Sequence, residues 1–252
     1  MHPAKKHIRR AFDNAAATYD SAAEVQRHAC QQLAADLDPA FVPDCLLDGG
    51  CGTGFGLRLL AERYPQAWRL GIDLAPAMLV KARAPVAIAG DLEHLPLAPA
   101  SIDLYWSSLT AQWCQLERLL PEAARVLRPG GRLALATLGP QTFVELRDAF
   151  AAGDAYTHTL AFPAGETIHT FLLQNGFTDI VRHGETHVSH HPDLRTLLRS
   201  VKAIGANQVG DGRRRGLMAR ATFARAEAAY ETRRQPEGLP LTYDLFYLHA
   251  QR

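Results

Sequence analysis

The sequence predicts an α/β protein with a doubly wound, largely parallel sheet, and three observations predict it. Short apolar runs alternate with segments of helical periodicity through the middle of the chain. A glycine-rich loop follows the first of these runs, and the second run ends in an acidic residue. Strict alternation of strand and helix is typical of parallel strands joined by right-handed crossovers. A chain of 252 residues can form one such domain with added helices.

The N-terminal segment, residues 1–40, is predicted to be helical. Ile8, Phe12 and Tyr19 lie on one apolar stripe at helical spacing, and Leu33 belongs to a second stripe further along. Seven strands are predicted after it, at Cys45–Gly49, Trp68–Asp73, Val86–Gly90, Ile102–Ser107, Gly131–Leu138, near Phe177–Arg182, and at Leu241–His249. The predicted helices between them are Phe55–Arg63, Pro76–Arg83, Leu116–Leu127, Gln141–Ala151 and Gly165–Asn175.

A helical insertion is predicted between the last two strands, over Asp193–Arg234. Such an insertion lies near the carboxyl ends of the strands, where open α/β sheets bind ligands. Together with the N-terminal helices it would form a lid over the site. We therefore divide the chain into N-terminal helices (1–40), a core (41–184), a helical insertion (185–238) and a final strand (239–252).

The glycine-rich loop and two acids predict a site for an adenosine-containing cofactor. Gly50, Gly52 and Gly54 follow Asp48 directly after the first strand. Because glycine has no Cβ and tolerates positive φ, the backbone here can pass close to a ligand. The second strand ends in Asp73, the place where a βαβ nucleotide site holds its ribose-hydroxyl acceptor.

The loop spacing favours S-adenosylmethionine over NAD. Dinucleotide sites use G-x-G-x-x-G and direct a helix N-terminus at a pyrophosphate. Here the spacing is G-x-G-x-G, and the carboxylate of Asp48 precedes it. A carboxylate would repel a pyrophosphate but suits the ammonium and sulfonium groups of S-adenosylmethionine.

Composition and cysteine usage are those of an ordinary globular chain, and we expect a cytoplasmic protein without a membrane partner. Apolar residues make up 47% and charged residues 21%. No segment approaches the roughly 18 apolar residues of a membrane span, and the N-terminus has no apolar signal core. The four cysteines lack pairing or metal-ligand spacing and are interpreted as reduced thiols: Cys30, Cys45, Cys51 and Cys114.

The histidines near the end of the chain do not predict a metal site. No H-E-x-x-H pattern and no nearby cysteine accompany them. We therefore expect no metal at His183, His187, His190 and His191.

The net charge of +1 conceals a basic insertion. Ten basic and four acidic residues lie between Asp193 and Arg234. An imbalance of this size favours an acidic partner. No zinc knuckle, RNA-recognition motif or aromatic–basic platform is present, so nucleic acid ranks behind an acidic protein.

Five motifs make the chain resemble a class I S-adenosylmethionine-dependent methyltransferase, with the seven-stranded Rossmann-like sheet of that superfamily. They are LDGGCGTG (Leu47–Gly54), GIDLAPAML (Gly71–Leu79), GDLEHLPL (Gly90–Leu97), IDLYWSSL (Ile102–Leu109) and RVLRPGGRL (Arg125–Leu133). Within the superfamily, other segments resemble the malonyl-[acyl-carrier protein] O-methyltransferases of biotin synthesis. These segments are Phe12–Arg27, Gln112-Trp113-Cys114, Thr137–Phe150, Leu197–Asn207 and Leu239–Leu248. At His158-Thr159 the chain departs from the His-x-N common in relatives.

The resemblance implies which residues meet the cofactor. Asp73 would accept from the ribose hydroxyls and Asp91 from the adenine amine, with a helix N-cap as the alternative role for Asp91. Ser107 would lie beside the transferred methyl group, with a simple turn residue as its alternative. The predicted cofactor-binding residues are Asp48, Gly50, Cys51, Gly52, Gly54, Asp73, Leu74, Asp91, Leu92 and Ser107.

The resemblance also implies a malonyl thioester on acyl-carrier protein, or coenzyme A, as methyl acceptor. Its carboxylate is ionised at neutral pH and needs orientation rather than a general base. We expect Arg199 to clamp it, because a guanidinium can bind a carboxylate through two parallel hydrogen bonds. The alternatives are a solvated helix face for the two basic residues and core packing for the tyrosine. The predicted substrate residues are Tyr19, Trp113, Arg199 and Lys202.

The acidic carrier protein is expected to dock on the basic insertion, where electrostatic steering would raise the rate of association. The expected docking residues are Arg213, Arg214, Arg215, Arg220 and Arg225. Two other functions stay open: methylation of another small acid or quinone precursor, and a protein-modifying or assembly factor of the same fold.

Overall fold

One seven-stranded sheet organises the protein. The structure, a computed structural model, describes residues 3–206, 209, 212, 216 and 218–252. The strands are β1 (Cys45–Gly49), β2 (Trp68–Asp73), β3 (Val86–Ala89), β4 (Ile102–Ser108), β5 (Leu127–Leu138), β6 (Thr178–His191) and β7 (Leu239–Gln251). Their order across the sheet is β3-β2-β1-β4-β5-β7-β6, and only β7 runs antiparallel to its neighbours.

Helices cover both faces of this sheet. Alternate residues of each strand point to opposite faces, so Leu46 joins one core cluster and Leu47 the other. The helices are α1 (Lys5–Ala15), α2 (Tyr19–Ala22), α3 (Glu24–Ala35), α4 (Phe55–Arg63), α5 (Pro76–Ala82), α6 (Leu116–Val126), α7 (Val144–Ala151), α8 (Gly165–Gln174), α9 (Leu194–Ala203) and α10 (Arg220–Glu231). The first face is covered by α3, α4, α7, α9 and α10, and the second by α6 and α8. The doubly wound architecture is confirmed.

The edge strand β6 is much longer than the sequence indicated. It continues from Thr178 to His191 and pairs with β7 along its length, so residues 185–191, which we assigned to the insertion, are strand. Most of its side chains are exposed or half-buried. An edge strand without an apolar face has no two-residue apolar alternation by which it can be recognised. The four-segment division of the chain otherwise remains a prediction.

The N-terminal helices and the insertion meet above the carboxyl ends of the parallel strands. The α1–α2 segment packs on α5 through Ala15, Ala16 and Met78. The Thr18 hydroxyl donates to the carbonyl of Ala203 at the end of α9, 3.1 Å away. These helices therefore enclose the end of the sheet where the glycine-rich loop lies. Among the described residues, no helix has the length and apolarity needed to cross a membrane.

Candidate active site

The loop between β1 and α4 needs glycine both for its backbone conformation and for space. Gly50 has φ +77°, and a Cβ there would lie 2.1 Å from the Thr110 hydroxyl oxygen. Gly54 has φ +81°, and a Cβ there would lie 2.5 Å from the carbonyl oxygen of Ala82. Left-handed backbone and contacts this short exclude any side chain. The loop is therefore held tightly against the turn after β4 and the end of α5.

Asp73 holds this loop from the tip of β2. Its Oδ2 accepts from the backbone N–H of Gly52 at 2.9 Å, and its Oδ1 accepts from the N–H of Ala75 at 2.8 Å. Burial raises the pKa of Asp73, although these two hydrogen bonds act in the opposite direction. The carboxylate is thus fixed in place, with remaining lone pairs available to a ligand.

Asp48 is a buried carboxylate at the end of β1. Its side chain is 3% exposed. Burial, and then the neighbouring charge of Asp73, raise its pKa to about 8, while a hydrogen bond from the Leu57 backbone acts in the opposite direction. Two acids packed this closely favour a positively charged ligand, which is what the ammonium and sulfonium groups of S-adenosylmethionine provide. The residues present therefore fit that cofactor.

Two adjoining cavities surround the loop. The first, of about 70 Å³, is called the aspartate cavity and is lined by residues including Lys5, Gly50, Gly52, Asp73, Leu74, Asp91, Leu92, Ser108, Thr110, Trp113 and Cys114. The second, of about 210 Å³, is called the loop cavity and is lined by residues including Gln26, Arg27, Cys30, Asp48, Cys51, Thr53, Arg58 and Ser108. Tyr19 borders both. Most of the predicted cofactor residues are thereby brought together.

A third space, the apolar cavity, adjoins these two. Its volume is about 210 Å³, and its lining includes Phe12, Tyr19, Gln112, Trp113, Phe143, His158, Thr159, Leu198, Val201 and Tyr243. Tyr19 and Trp113 line this cavity and the aspartate cavity alike, so they mark the place where the two meet. Trp113 is held there by an edge-to-face contact with Phe12, with ring centroids 5.5 Å apart. In the described part of the chain, no lysine or arginine lines the apolar cavity.

Two predicted cofactor residues lie outside the cavities. Ser107 is fully buried, and its hydroxyl donates to the Gly49 carbonyl at 2.6 Å, which fastens β4 to β1. Its neighbour Ser108 lines both cofactor-side cavities, since successive strand residues face opposite sides of the sheet. Gly54 lines neither of these cavities and instead is the residue immediately before α4. At this strand end, Ser108 rather than Ser107 is therefore the serine that lines the cavities.

The predicted carboxylate clamp is not assembled. Helix α9 lines the apolar cavity with Leu198 and Val201, while Arg199 and Lys202 are exposed and do not line it. The Arg199 guanidinium bonds within its own helix, to the Arg195 carbonyl at 3.3 Å. The alternative interpretation, a solvated helix face, is the one that the structure supports.

The predicted docking residues are only partly described. Arg213, Arg214 and Arg215 lie outside the described residues. Arg220 and Arg225 are exposed on α10. Arg225 also donates to the carbonyl of Gly153 at 2.8 Å, so it helps to hold α10 beside α7.

Sequence reasoning missed several polar residues that line the cavities. Lys5, Arg27, Arg58 and Gln112 contribute to them from four different elements. Gln112 was noted only as part of a resembling tripeptide, and the other three belong to helices in which charged residues are usually solvated. No local signal distinguishes such residues, because their placement depends on how the helices pack.

The comparisons with known proteins agree with this geometry. A sequence profile described as a methyltransferase domain matches residues 47–135. A malonyl-[acyl-carrier protein] O-methyltransferase of Dechloromonas aromatica is 53% identical over 99% of this chain and 95% of its own length. The chain belongs to this family of O-methyltransferases. It is therefore an S-adenosylmethionine-dependent methyltransferase.

Two further similarities extend the comparison. A biotin biosynthesis bifunctional protein of Cellvibrio japonicus is 39% identical over 97% of this chain, which spans 49% of that protein. The crystal structure of a methyltransferase from Thermotoga maritima has a TM-score of 0.58 and 16% identity, over 97% of this chain and 99% of that one. At that identity the structural similarity establishes the shared fold. Among the described residues there is no cluster of three or more potential metal ligands.

Proposed function

We propose that this protein transfers the methyl group of S-adenosylmethionine to the free carboxylate of a malonyl thioester on acyl-carrier protein. The reaction would be an early step of pimelate and biotin synthesis, as the names of its relatives suggest. The observation that carries the proposal is the apolar cavity, which meets the aspartate cavity at Tyr19 and Trp113. A thioester entering that cavity would bring its terminal carboxylate to the transferred methyl group.

The cofactor would be held by carboxylates and backbone from three strand ends. We propose that Asp73 accepts from the ribose hydroxyls, Asp91 from the adenine amine, and Asp48 from the ammonium group. Arg27 and Arg58 line the same cavity as Asp48 and are suited to the cofactor's own carboxylate. Bound S-adenosylmethionine supplies the electrophilic methyl group.

The apolar cavity suits a carboxylate nucleophile. A malonyl carboxyl is ionised at neutral pH, so no side chain has to remove a proton from it. An arginine or lysine bound to the carboxylate would neutralise its negative charge. No arginine or lysine lines the described part of the cavity. Orientation by the walls and exclusion of water can contribute about 7–11 kcal/mol to such a step.

Tyr19 is placed to orient this carboxylate. Burial, and then the charges of nearby Cys30 and Asp73, raise the pKa of its phenol, so the group keeps its proton and can donate. Trp113 would form the opposite wall. Arg199 and Lys202 do not line the apolar cavity, whereas polar side chains that do line it include those of Tyr19 and Gln112.

The outer face of α9 is proposed as part of the carrier-protein docking surface. Arg199 and Lys202 are exposed on this helix, and Leu198 and Val201 of the same helix line the apolar cavity. An acidic carrier held at this face would be close to the cavity into which its acyl group must enter. Arg213, Arg214, Arg215, Arg220 and Arg225 belong to the same basic insertion and extend the proposal.

We propose a cytoplasmic location because the cysteines form no disulfides. All four are free thiols, and two of them, Cys51 and Cys114, are buried around the cofactor cavities. Free cysteines without disulfides are typical of proteins in a reducing compartment.

The test is the intact mass of malonyl-acyl-carrier protein after incubation with this enzyme and S-adenosylmethionine. We expect a gain of one methylene, with no change for acetyl-carrier or unloaded carrier, because only the malonyl group offers a free carboxylate. No gain in a sample that binds S-adenosylhomocysteine would reject malonyl-carrier as substrate. Another small acid or a quinone precursor, or a role as an assembly factor, would then be pursued.

A further inference from the structure

Lys5 reaches from the first turn of α1 into the aspartate cavity. Its Nζ lies 3.0 Å from Oδ1 of Asp91 and 2.7 Å from Oε1 of Glu93. Among the described residues that line this cavity, Lys5 is the one with a cationic side chain. The ammonium group thus joins the N-terminal lid to the residue proposed to hold the adenine amine.

The two carboxylates are themselves anchored. Oδ1 of Asp91 also accepts from the backbone N–H of Glu93 at 3.0 Å, which leaves its Oδ2 for another donor. Glu93 is 4% exposed, and its Oε1 accepts from the N–H of Gln115, the residue before α6. Without Lys5, two neighbouring carboxylates, one of them buried, would have no positive partner from α1.

Lys5 keeps its charge in this position. Burial by itself would lower its pKa, but the nearby Cys114, Glu93 and Asp91 outweigh that effect, and the pKa is raised. The Lys5 side chain therefore stays protonated across the physiological range of pH.

We propose that Lys5 is a positioning residue for the cofactor's base. It fixes Asp91 so that Oδ2 faces the 6-amino group of adenine, and the same contact closes α1 over the cofactor. This inference rests on the proposed role of Asp91. A fixed carboxylate accepts from a 6-amino group but repels the 6-oxo group of hypoxanthine, so Lys5 contributes to the choice of base.

The experiment measures dissociation constants by calorimetry for S-adenosylhomocysteine and its deaminated analogue, S-inosylhomocysteine. We expect the unaltered protein to bind the adenine form more tightly. Lys5→Met should reduce the ratio of the inosine-form constant to the adenine-form constant about tenfold, the effect of one charge-assisted hydrogen bond. Lys5→Arg should restore much of the preference, since it keeps the charge. Lys6→Met is the matched control, because Lys6 is exposed on the same helix.

The outcomes separate this inference from the function on which it depends. If Lys5→Met weakens both ligands equally, Lys5 only stabilises the lid, and the inference is wrong. If the unaltered protein binds both ligands equally, or if Asp91→Asn leaves the preference for adenine intact, the proposed role of Asp91 is wrong, and the inference about Lys5 is wrong with it. Amide hydrogen exchange in α1 provides a second measurement: Lys5→Met should accelerate it and Lys6→Met should not.

Discussion

Buried acids around the glycine-rich loop dominate the chemistry at the scale of single residues. Asp48 and Asp73 are both shifted toward the protonated form when no cation is bound. Burial is the larger cause for each, and repulsion from Asp73 adds to it at Asp48. A ligand that brings positive charge therefore has to compete with a proton at Asp48.

Cofactor affinity should consequently depend on pH through Asp48. The pKa of this group is raised to about 8, and a bound ammonium group would lower it, so binding releases a proton below pH 8. We expect affinity for S-adenosylhomocysteine to rise with pH from 6 to 8, by at most about tenfold per unit, as one linked proton allows. Calorimetry in buffers of different ionisation enthalpy measures both the affinity and the proton released.

The control for this dependence is Asp48→Asn, which should bind more weakly and with a flatter pH profile. An equally steep profile in that variant would assign the proton to another group, such as Asp73.

At the scale of elements, the strand–loop–helix unit depends on close packing of the loop against α5. Gly54 immediately precedes α4, and a Cβ on it would point at the backbone of Ala82. Gly176, which follows α8, has a similar φ of +78° but no atom within 4 Å of its Cβ position. Replacing Gly176 therefore tests only the energetic cost of a left-handed backbone, whereas replacing Gly54 adds the cost of a steric collision.

Gly54→Ala should destabilise the protein more than Gly176→Ala. We expect about 1 kcal/mol for Gly176→Ala, the cost of a left-handed conformation for a residue with a Cβ. Gly54→Ala should lose about 1–3 kcal/mol more, because its Cβ would collide with backbone that can only move together with α5. Denaturant unfolding measures both free energies of unfolding. Equal decreases in the two variants would show that the backbone of α5 can move away from the new Cβ at little cost.

Elements with strong local patterns were predicted closely, and edge elements were not. β1, β2 and α4 occupy the predicted residues Cys45–Gly49, Trp68–Asp73 and Phe55–Arg63. They are bounded by glycines or an acid and have clear apolar periodicity. β6 was shortened in the prediction because half of its length is polar and is held in the sheet only by pairing with β7.

At the scale of the whole molecule, one helix carries both exposed basic side chains and part of the lining of the apolar cavity. Helix α9 covers the apolar cavity with Leu198 and Val201 and presents Arg199 and Lys202 to solvent. Basic residues near an entrance attract an acidic partner over distances of about one Debye length, roughly 8–10 Å. The same helix would thus contribute to partner choice and to substrate enclosure.

Charge reversal on α9 should affect the carrier-linked substrate selectively. We expect Arg199→Glu with Lys202→Glu to lower kcat/KM for malonyl-carrier protein about tenfold at low salt, an effect of lost steering that fades as salt rises. Turnover of malonyl-coenzyme A should change far less.

Arg118→Glu provides the matched control, since Arg118 is exposed on α6, which covers the opposite face of the sheet. Equal losses with both thioesters, or an equal effect of Arg118→Glu, would remove α9 from the docking surface.

Local sequence patterns were enough to predict the cofactor class and the order of the central elements, and they indicate the strand ends that we propose hold the cofactor. Three patterns are local properties of the sequence: the spacing of glycines, an acid at a strand end and the periodicity of apolar residues. They can be recognised without knowing what packs against them. The tertiary structure alone decided that Lys5 meets Asp91, 86 residues further along the chain, and that Arg199 faces solvent. Those outcomes depend on which face of a helix is covered, and long-range packing of the lid on the sheet sets that face.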